Sequence, residues 1–187
     1  GFSITDYEIV RPDLGNWQDI KLLSKDFRVM SDIVINHASI KSKYFKNFIE
    51  NKEDTQNFFI KLKNVQDGYE GVVRPRSSDL FKEYAINDET FYLWCTFSHD
   101  QVDFNFKNPK VLFFFIKLIH LYLKNGIRVF RLDAIAFLWK EYGTNCLNLP
   151  QTHEVVKLIR TLLNAYSKNT LLITETNLPN LENLSYF

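Results

Sequence analysis

Cysteine is scarce in this chain: its 187 residues hold two, Cys95 and Cys146. Two cysteines make no disulfide framework, and neither sits in a metal-ligand spacing. They read as reduced, packed thiols of a cytoplasmic protein. An excess of one charge is lacking too. A formal net charge of +1 gives no global field to steer nucleic acid, and no basic stripe is interleaved with aromatics. Long apolar runs are also missing. The longest, Val111 to Leu123, is broken by Lys117 and His120 and stays below the roughly 18 residues that suggest a membrane span. Repeats and low-complexity tracts are absent. What remains is one globular unit with no nucleic-acid or membrane partner expected. Because the chain starts at Gly1 and stops at Phe187, one loop after an expected strand, it reads as a fragment.

What is there begins with short apolar runs. Val29 to Ile35, Ile127 to Leu132 and Leu171 to Ile173 are continuous enough for parallel strands buried on both faces. Each ends in polar residues: Asn36-His37, Asp133, and Thr174-Glu175. Carboxyl ends of parallel strands are where a β/α barrel keeps its chemistry. Between the strands, Pro109 opens an apolar-periodic helix over 111–124 that Asn125-Gly126 closes, and a second helix is expected over 151–167. Asn16 and Asp19 resemble a helix cap, starting a helix that runs to Ser24. Gly1 to Val10 reads as the end of a further strand, with Asp6 and Tyr7 near its rim.

The distance from His37 to Ile127 far exceeds one βα unit, about 30 residues in all. Something is therefore inserted, roughly Ala38 to Phe97. Short helices are expected over 44–50 and 54–62 there, a strand over 91–97, and an ordered loop over 67–76. Loops so placed are more often functional than structural.

Residues two apart on a strand share a face, so Arg131 and Asp133 point together. A cation at that range lowers a carboxylate's pKa by about 1–3 units, which would hold Asp133 ionised as a nucleophile for an anomeric carbon. Glu175, flanked by threonines with no base in its own strand, is free to stay protonated as an acid. Two such carboxylates are the equipment of a retaining glycosidase.

Longer words support this. Asp32 to His37, Arg131 to Ala134 and Glu175 resemble, in order, the first three signature regions of the α-amylase family, and Gln101 to Asn105 resembles a further one. Arg74-Pro75-Arg76, Trp94 to Ser98, Arg131 to Lys140 and Gly143 to Cys146 are similar to the sucrose phosphorylase subfamily. Thr174 to Asn177 and the ending Glu182 to Phe187 look more like the branch that includes glucosylglycerate phosphorylase.

The resemblance implies a (β/α)₈ TIM barrel with an inserted domain B, here incomplete: about strands 2 to 5 over 1–187, with domain B at 38–97. It implies retaining α-glucosyl transfer from an α-glucoside to inorganic phosphate, with no organic cofactor and no metal. Asp133 would be the nucleophile, Glu175 the general acid/base, and Arg131 the residue that orients Asp133. His37 and Asp6 would bind glucose hydroxyls. Arg76, with Arg74 as second choice, is the candidate for gripping phosphate, since a guanidinium suits a multidentate anion. The subfamily's third carboxylate would lie beyond Phe187.

Two departures bear on the acceptor. Val73 and Phe137 stand where sucrose-cleaving members carry tyrosine; each loses a hydroxyl near the mouth, so fructose is not held in the same way. Asn177 either contacts a small polar acceptor or caps the next helix. Trp94 either lines the substrate cleft or packs in the core. Rival readings are an α-glucosidase that uses water, a non-catalytic amylase-like domain, and a divalent-metal site from Asp6, His37, Asp133 and Glu175. Against the last, no two ligands share His-x-His spacing and Arg131 would repel a cation.

Overall fold

The structure, a computed structural model, describes residues 2–186; Gly1 and Phe187, the ends of the expected first strand and last segment, lie outside them. Three strands, β1 (Met30–Val34), β7 (Val129–Asp133) and β8 (Leu171–Thr174), form a parallel sheet in the order β1-β7-β8. In β7 the side chains of Phe130 and Leu132 are fully buried, as is Ile33 in β1 at 1% exposure; β8, the edge strand, departs from the expected burial on both faces, with Leu171 and Ile173 exposed. The register sets Asp32 beside Arg131 and Val34 beside Asp133.

Helices connect the strands. Helix α1 (Trp17–Leu23) starts with a capping box between Asn16 and Asp19. Helix α3 (Pro109–Lys124) is capped by the Asn108 side chain and buries Val111, Phe115, Leu118, Ile119, Tyr122 and Leu123 along one stripe. At its end Gly126 takes φ +93°, and a Cβ there would stand 2.0 Å from Ser24 Oγ. Only glycine lets the end of α1 pass so close. Helix α4 (Pro150–Tyr166) buries Val155, Val156, Ile159 and Leu163 and leads into β8.

Between β1 and α3 the chain leaves this pattern. Strand β2 (His37–Ser39) pairs antiparallel with β6 (Gln101–Asp103), placing His37 opposite Asp103. Helix α2 (Lys43–Ile49) and a single 3₁₀ turn at Glu53–Thr55 follow. A second sheet then has the order β3 (Lys61–Leu62), β5 (Glu89–Trp94), β4 (Phe81–Ile86). The β4–β5 hairpin turns through Asn87 and Asp88, both at positive φ (49° and 62°), as two-residue hairpin loops require.

Three expectations need correction. No strand forms over residues 2–10; instead the Tyr7 hydroxyl lies 2.8 Å from the Val34 carbonyl and 2.7 Å from the His37 carbonyl, and Tyr7 packs against Tyr44, Phe104, Phe114 and Phe115. A phenol anchors that segment where a strand ladder was expected. The expected helix over 54–62 is one turn followed by an extended bridge, Phe59 to Phe104, because Phe58 and Phe59 are both buried. The last expectation to fall put His37 at the tip of the first parallel strand; it opens a separate strand past Asn36.

One buried ion pair joins the two sheet systems. Lys140 Nζ sits 2.7 Å from Asp103 Oδ2, 2.7 Å from Asn36 Oδ1, and bonds the Phe137 carbonyl. Asp103 also accepts from Asn36 Nδ2 at 2.9 Å, from Thr96 N at 3.1 Å and from Thr96 Oγ1 at 2.6 Å. Burial pulls the Lys140 pKa down while Asp103 opposes the fall. Breaking such a pair on one side strands a buried charge. Lys140→Ala is therefore expected to cost about 3–5 kcal/mol in urea unfolding, and Asp103→Leu/Lys140→Met to recover most of that loss. Equal losses in the single and double variants would contradict the charge argument.

Candidate active site

The parallel register brings four charged side chains to one rim. Asp133 ends β7 at 7% exposure, and Glu175 follows the last residue of β8. Each carboxyl lies within 4 Å of a different Arg131 amino group, and Glu175 is among the groups that raise the Asp133 pKa. Arg131, two residues before Asp133, bonds Asp32 of β1 through Nε, places one amino group 3.6 Å from Asp133 Oδ1 and the other 3.7 Å from Glu175 Oε2. One guanidinium thus serves three carboxylates.

This sharing overturns the expected electrostatics. Asp133 is pushed up to about 7, first by burial, then by its hydrogen bond with Glu175 and that group's charge; Arg131 opposes without prevailing. The arginine fails to hold Asp133 ionised because its direct hydrogen bond goes to Asp32. Glu175 is also less isolated than its threonine flanks suggest. Beyond Arg131, its Oε2 accepts from the Ala134 N–H at 3.1 Å and its Oε1 from Asn177 Nδ2 at 3.3 Å. Asn177, in the left-handed region at φ 54°, holds Glu175; the following helix, α5 (Asn180–Leu184), has Pro179 at its cap position. Ala134 is likewise left-handed, at φ 53°, and that turn aims its N–H at the glutamate.

The remaining candidates lie at different distances from this cluster. His37 is 1% exposed; its Nε2 lies 3.0 Å from the Phe2 carbonyl and 2.9 Å from Gln101 Nε2, and its Nδ1 3.2 Å from Asn36 Nδ2. Burial lowers its pKa, so the ring is neutral. It packs on Phe97 at 5.0 Å, and Phe97 on Phe137 at 5.4 Å, so Phe137 is buried in a file of rings. Asp6 pairs with Lys43 at 3.0 Å and approaches the Tyr44 hydroxyl at 3.4 Å. Among the described residues no hydrogen bond or ion pair links Asp6, His37 or Phe137 to Asp133 or Glu175.

The two arginines of the inserted loop differ. Arg74 binds the Ser78 backbone, Ser78 Oγ at 3.2 Å, and the Asp79 and Cys95 carbonyls at 3.1 Å each. It is a structural clamp on carbonyls, with no ion pair among the described residues. Arg76 is exposed, with no hydrogen bond or ion pair among the described residues. Nor do three His, Cys, Asp or Glu side chains cluster as a metal site among those residues. Asp32 was not singled out from sequence; the parallel register opposite Arg131 is what reveals it.

The profile of the alpha-amylase catalytic domain matches residues 1–187. The chain belongs to the alpha-amylase family. It is 45% identical over its whole length to a glucosylglycerate phosphorylase of Spirochaeta thermophila, covering 32% of that protein. It is 42% identical to one of Allomeiothermus silvanus, again over the whole chain and covering 34% of that protein. Among solved structures, a sucrose 6F-phosphate phosphorylase from Thermoanaerobacter thermosaccharolyticum superposes with a TM-score of 0.84 at 25% identity, over 93% of this chain and 38% of that one. The chain thus spans about a third of the length of its relatives, and its three parallel strands are part of an incomplete (β/α)₈ barrel.

A carboxyl raised to about 7 disfavours the folded state as it ionises. That group's contribution is lost between its unfolded pKa, about 3.9, and its folded value. The Tm of Asp133→Asn relative to the unsubstituted protein is expected to climb from pH 4 to pH 7 and level off above. A difference that stays flat across that range would show that Asp133 titrates normally.

Proposed function

We propose that the protein carrying this chain transfers an α-glucosyl group with retention, converting an α-glucoside and phosphate to α-glucose 1-phosphate and the released acceptor. The observation that carries this reading is the Asp133–Glu175 pair, set at adjoining strand ends with both carboxylates within 4 Å of Arg131. The Asp133 pKa is raised by burial and then by Glu175; a proton on Glu175 beside an ionised Asp133 is the state the reaction needs.

In the first step an Asp133 oxygen bonds the anomeric carbon as the glycosidic bond breaks, and Glu175 gives its proton to the departing oxygen. In the second, a phosphate oxygen bonds that carbon, the glucosyl–Asp133 bond breaks, and Glu175 recovers a proton from the phosphate. Carboxyls of retaining enzymes stand about 5–5.5 Å apart, with the sugar between them. Arg131 orients both carboxylates, and His37 and Asp6 bind hydroxyls of the glucose. Phe137 adds an apolar wall near the mouth. Phosphate is co-substrate, gripped by Arg76, whose exposed guanidinium makes no hydrogen bond or ion pair among the described residues. No organic cofactor is required.

The acceptor we assign is glycerate, supported by the 45% and 42% identity to proteins named glucosylglycerate phosphorylase and by the missing hydroxyls at Val73 and Phe137. Cytoplasmic residence fits the two free thiols, and no helix among the described residues is long and apolar enough to cross a membrane. One observation favours a water-using α-glucosidase instead: nothing fixes the exposed Arg76 toward the strand-end carboxylates.

Incubating the intact protein with phosphate and glucosylglycerate decides between them. α-Glucose 1-phosphate is expected; free glucose formed at a rate indifferent to phosphate would establish hydrolysis. Asp133→Ala is expected to lower kcat on the order of 10⁴-fold. Arg76→Ala is expected to raise KM for phosphate about tenfold, roughly the loss of one charge-assisted bond, with the donor KM little changed. An unaltered phosphate KM would remove Arg76 from that role.

A further inference from the structure

A cavity of about 280 Å³ opens between strands β3 and β5 and the segment Lys140 to Tyr142. None of the proposed catalytic or glucose-binding side chains lines it. Its aromatic residues stand on one another at near right angles. Tyr69 meets Trp94 at 5.5 Å and 88°, and Tyr142 at 5.5 Å and 82°, an edge-to-face set that forms an apolar corner. Around it are Asn57, Asn105 and the Lys107–Glu141 ion pair at 2.9 Å.

Several polar groups of this lining are unused. Among the described residues the Asn57 amide, Asn105 Nδ2 and the Tyr69 hydroxyl make no hydrogen bond, although Asn105 Oδ1 accepts from Lys107 N at 3.2 Å. Lys107 is paired with Glu141 and Lys140 with Asp103, while Lys61 Nζ stands over the Phe91 ring at 4.5 Å. A cavity with aromatic walls and unpaired amides fits a ligand with one apolar face and a rim of hydroxyls. A pyranose has that shape. The volume is just under the roughly 300–1,000 Å³ usual for small-molecule pockets, which suits a single sugar ring.

We infer that this cavity is a second, non-catalytic binding site for a neutral pyranoside. It gives Trp94 a role at the cavity wall, with its indole Nε1 fixed by Thr96 Oγ1 at 3.1 Å. Since Lys140 belongs to both the cavity lining and the Asp103–Asn36 network, occupancy there bears on the loop that follows Asp133.

The test is calorimetric titration of the intact protein with methyl α-glucopyranoside, and it needs no turnover, so it stands apart from the phosphorylase reading. A binding event is expected that Tyr142→Ala weakens at least tenfold. Asn57→Gly, which keeps the left-handed backbone at φ 55° and removes the amide, is expected to weaken it about threefold. Tyr142 is exposed, and thermal melting checks that both variants stay folded; should Tyr142→Ala not fold, Asn57→Gly decides alone. Absence of any binding event that responds to the folded variants would overturn the proposal. So would equal binding of sorbitol, which has the hydroxyls and lacks the ring.

Discussion

The contact on which the rest of this structure depends is the buried Lys140–Asp103 pair. An ammonium and a carboxylate in the interior each carry a desolvation penalty that only close, fully hydrogen-bonded geometry offsets. Here the geometry closes: Asp103 takes donors from Lys140, Asn36 and Thr96, and Lys140 reaches Asn36 and the Phe137 carbonyl as well. Those atoms come from the end of the first parallel strand, from the inserted sheets, and from the turn after the strand that bears Asp133. None can shift alone without leaving a polar group unpaired. Positive charge from the chain itself thus organises a junction where several oxygens converge.

At the strand ends the governing fact is a shortage of cations. Arg131 faces Asp32, Asp133 and Glu175, and its strongest hydrogen bond goes to the first. Burial first, and then the uncompensated charge of Glu175, raise the Asp133 pKa. This is the condition under which neighbouring carboxylates adopt different protonation states, and it arises from register: Asp32 stands across from Arg131 in the adjacent strand. The cause differs from the one that Arg-x-Asp suggests in isolation, although the two carboxylates end up together as that motif implied.

What the chain declares locally is legible in its sequence. Continuous apolar runs mark β1, β7 and β8, and Asn108, Pro109 and Asn125-Gly126 bracket α3 within two residues of its expected start. What depends on distant partners is not. The β2–β6 pairing follows from His37 meeting Asp103 across 66 residues, and the β4–β5 hairpin turns on Asn87-Asp88 without the glycine that usually signals such a turn. Tyr7 looked like a strand residue because its burial against four other rings cannot be read from its neighbours. Arg74 and Arg76 stand two positions apart in the same motif, yet one is consumed by backbone carbonyls and the other has no partner among the described residues. Burial of Lys140, a residue type almost always exposed, gives no local sign.

The backbone at Ala134 carries a consequence for variation in this protein. A left-handed conformation at a residue with a Cβ costs roughly 1 kcal/mol, and it persists here because the same turn delivers an N–H to Glu175 while Ile135 N bonds the Glu175 carbonyl. Branched side chains suffer most in that conformation. The position after Asp133 thus excludes branched side chains by the shape of the main chain alone, and variation around this rim has to arise on the surrounding loops.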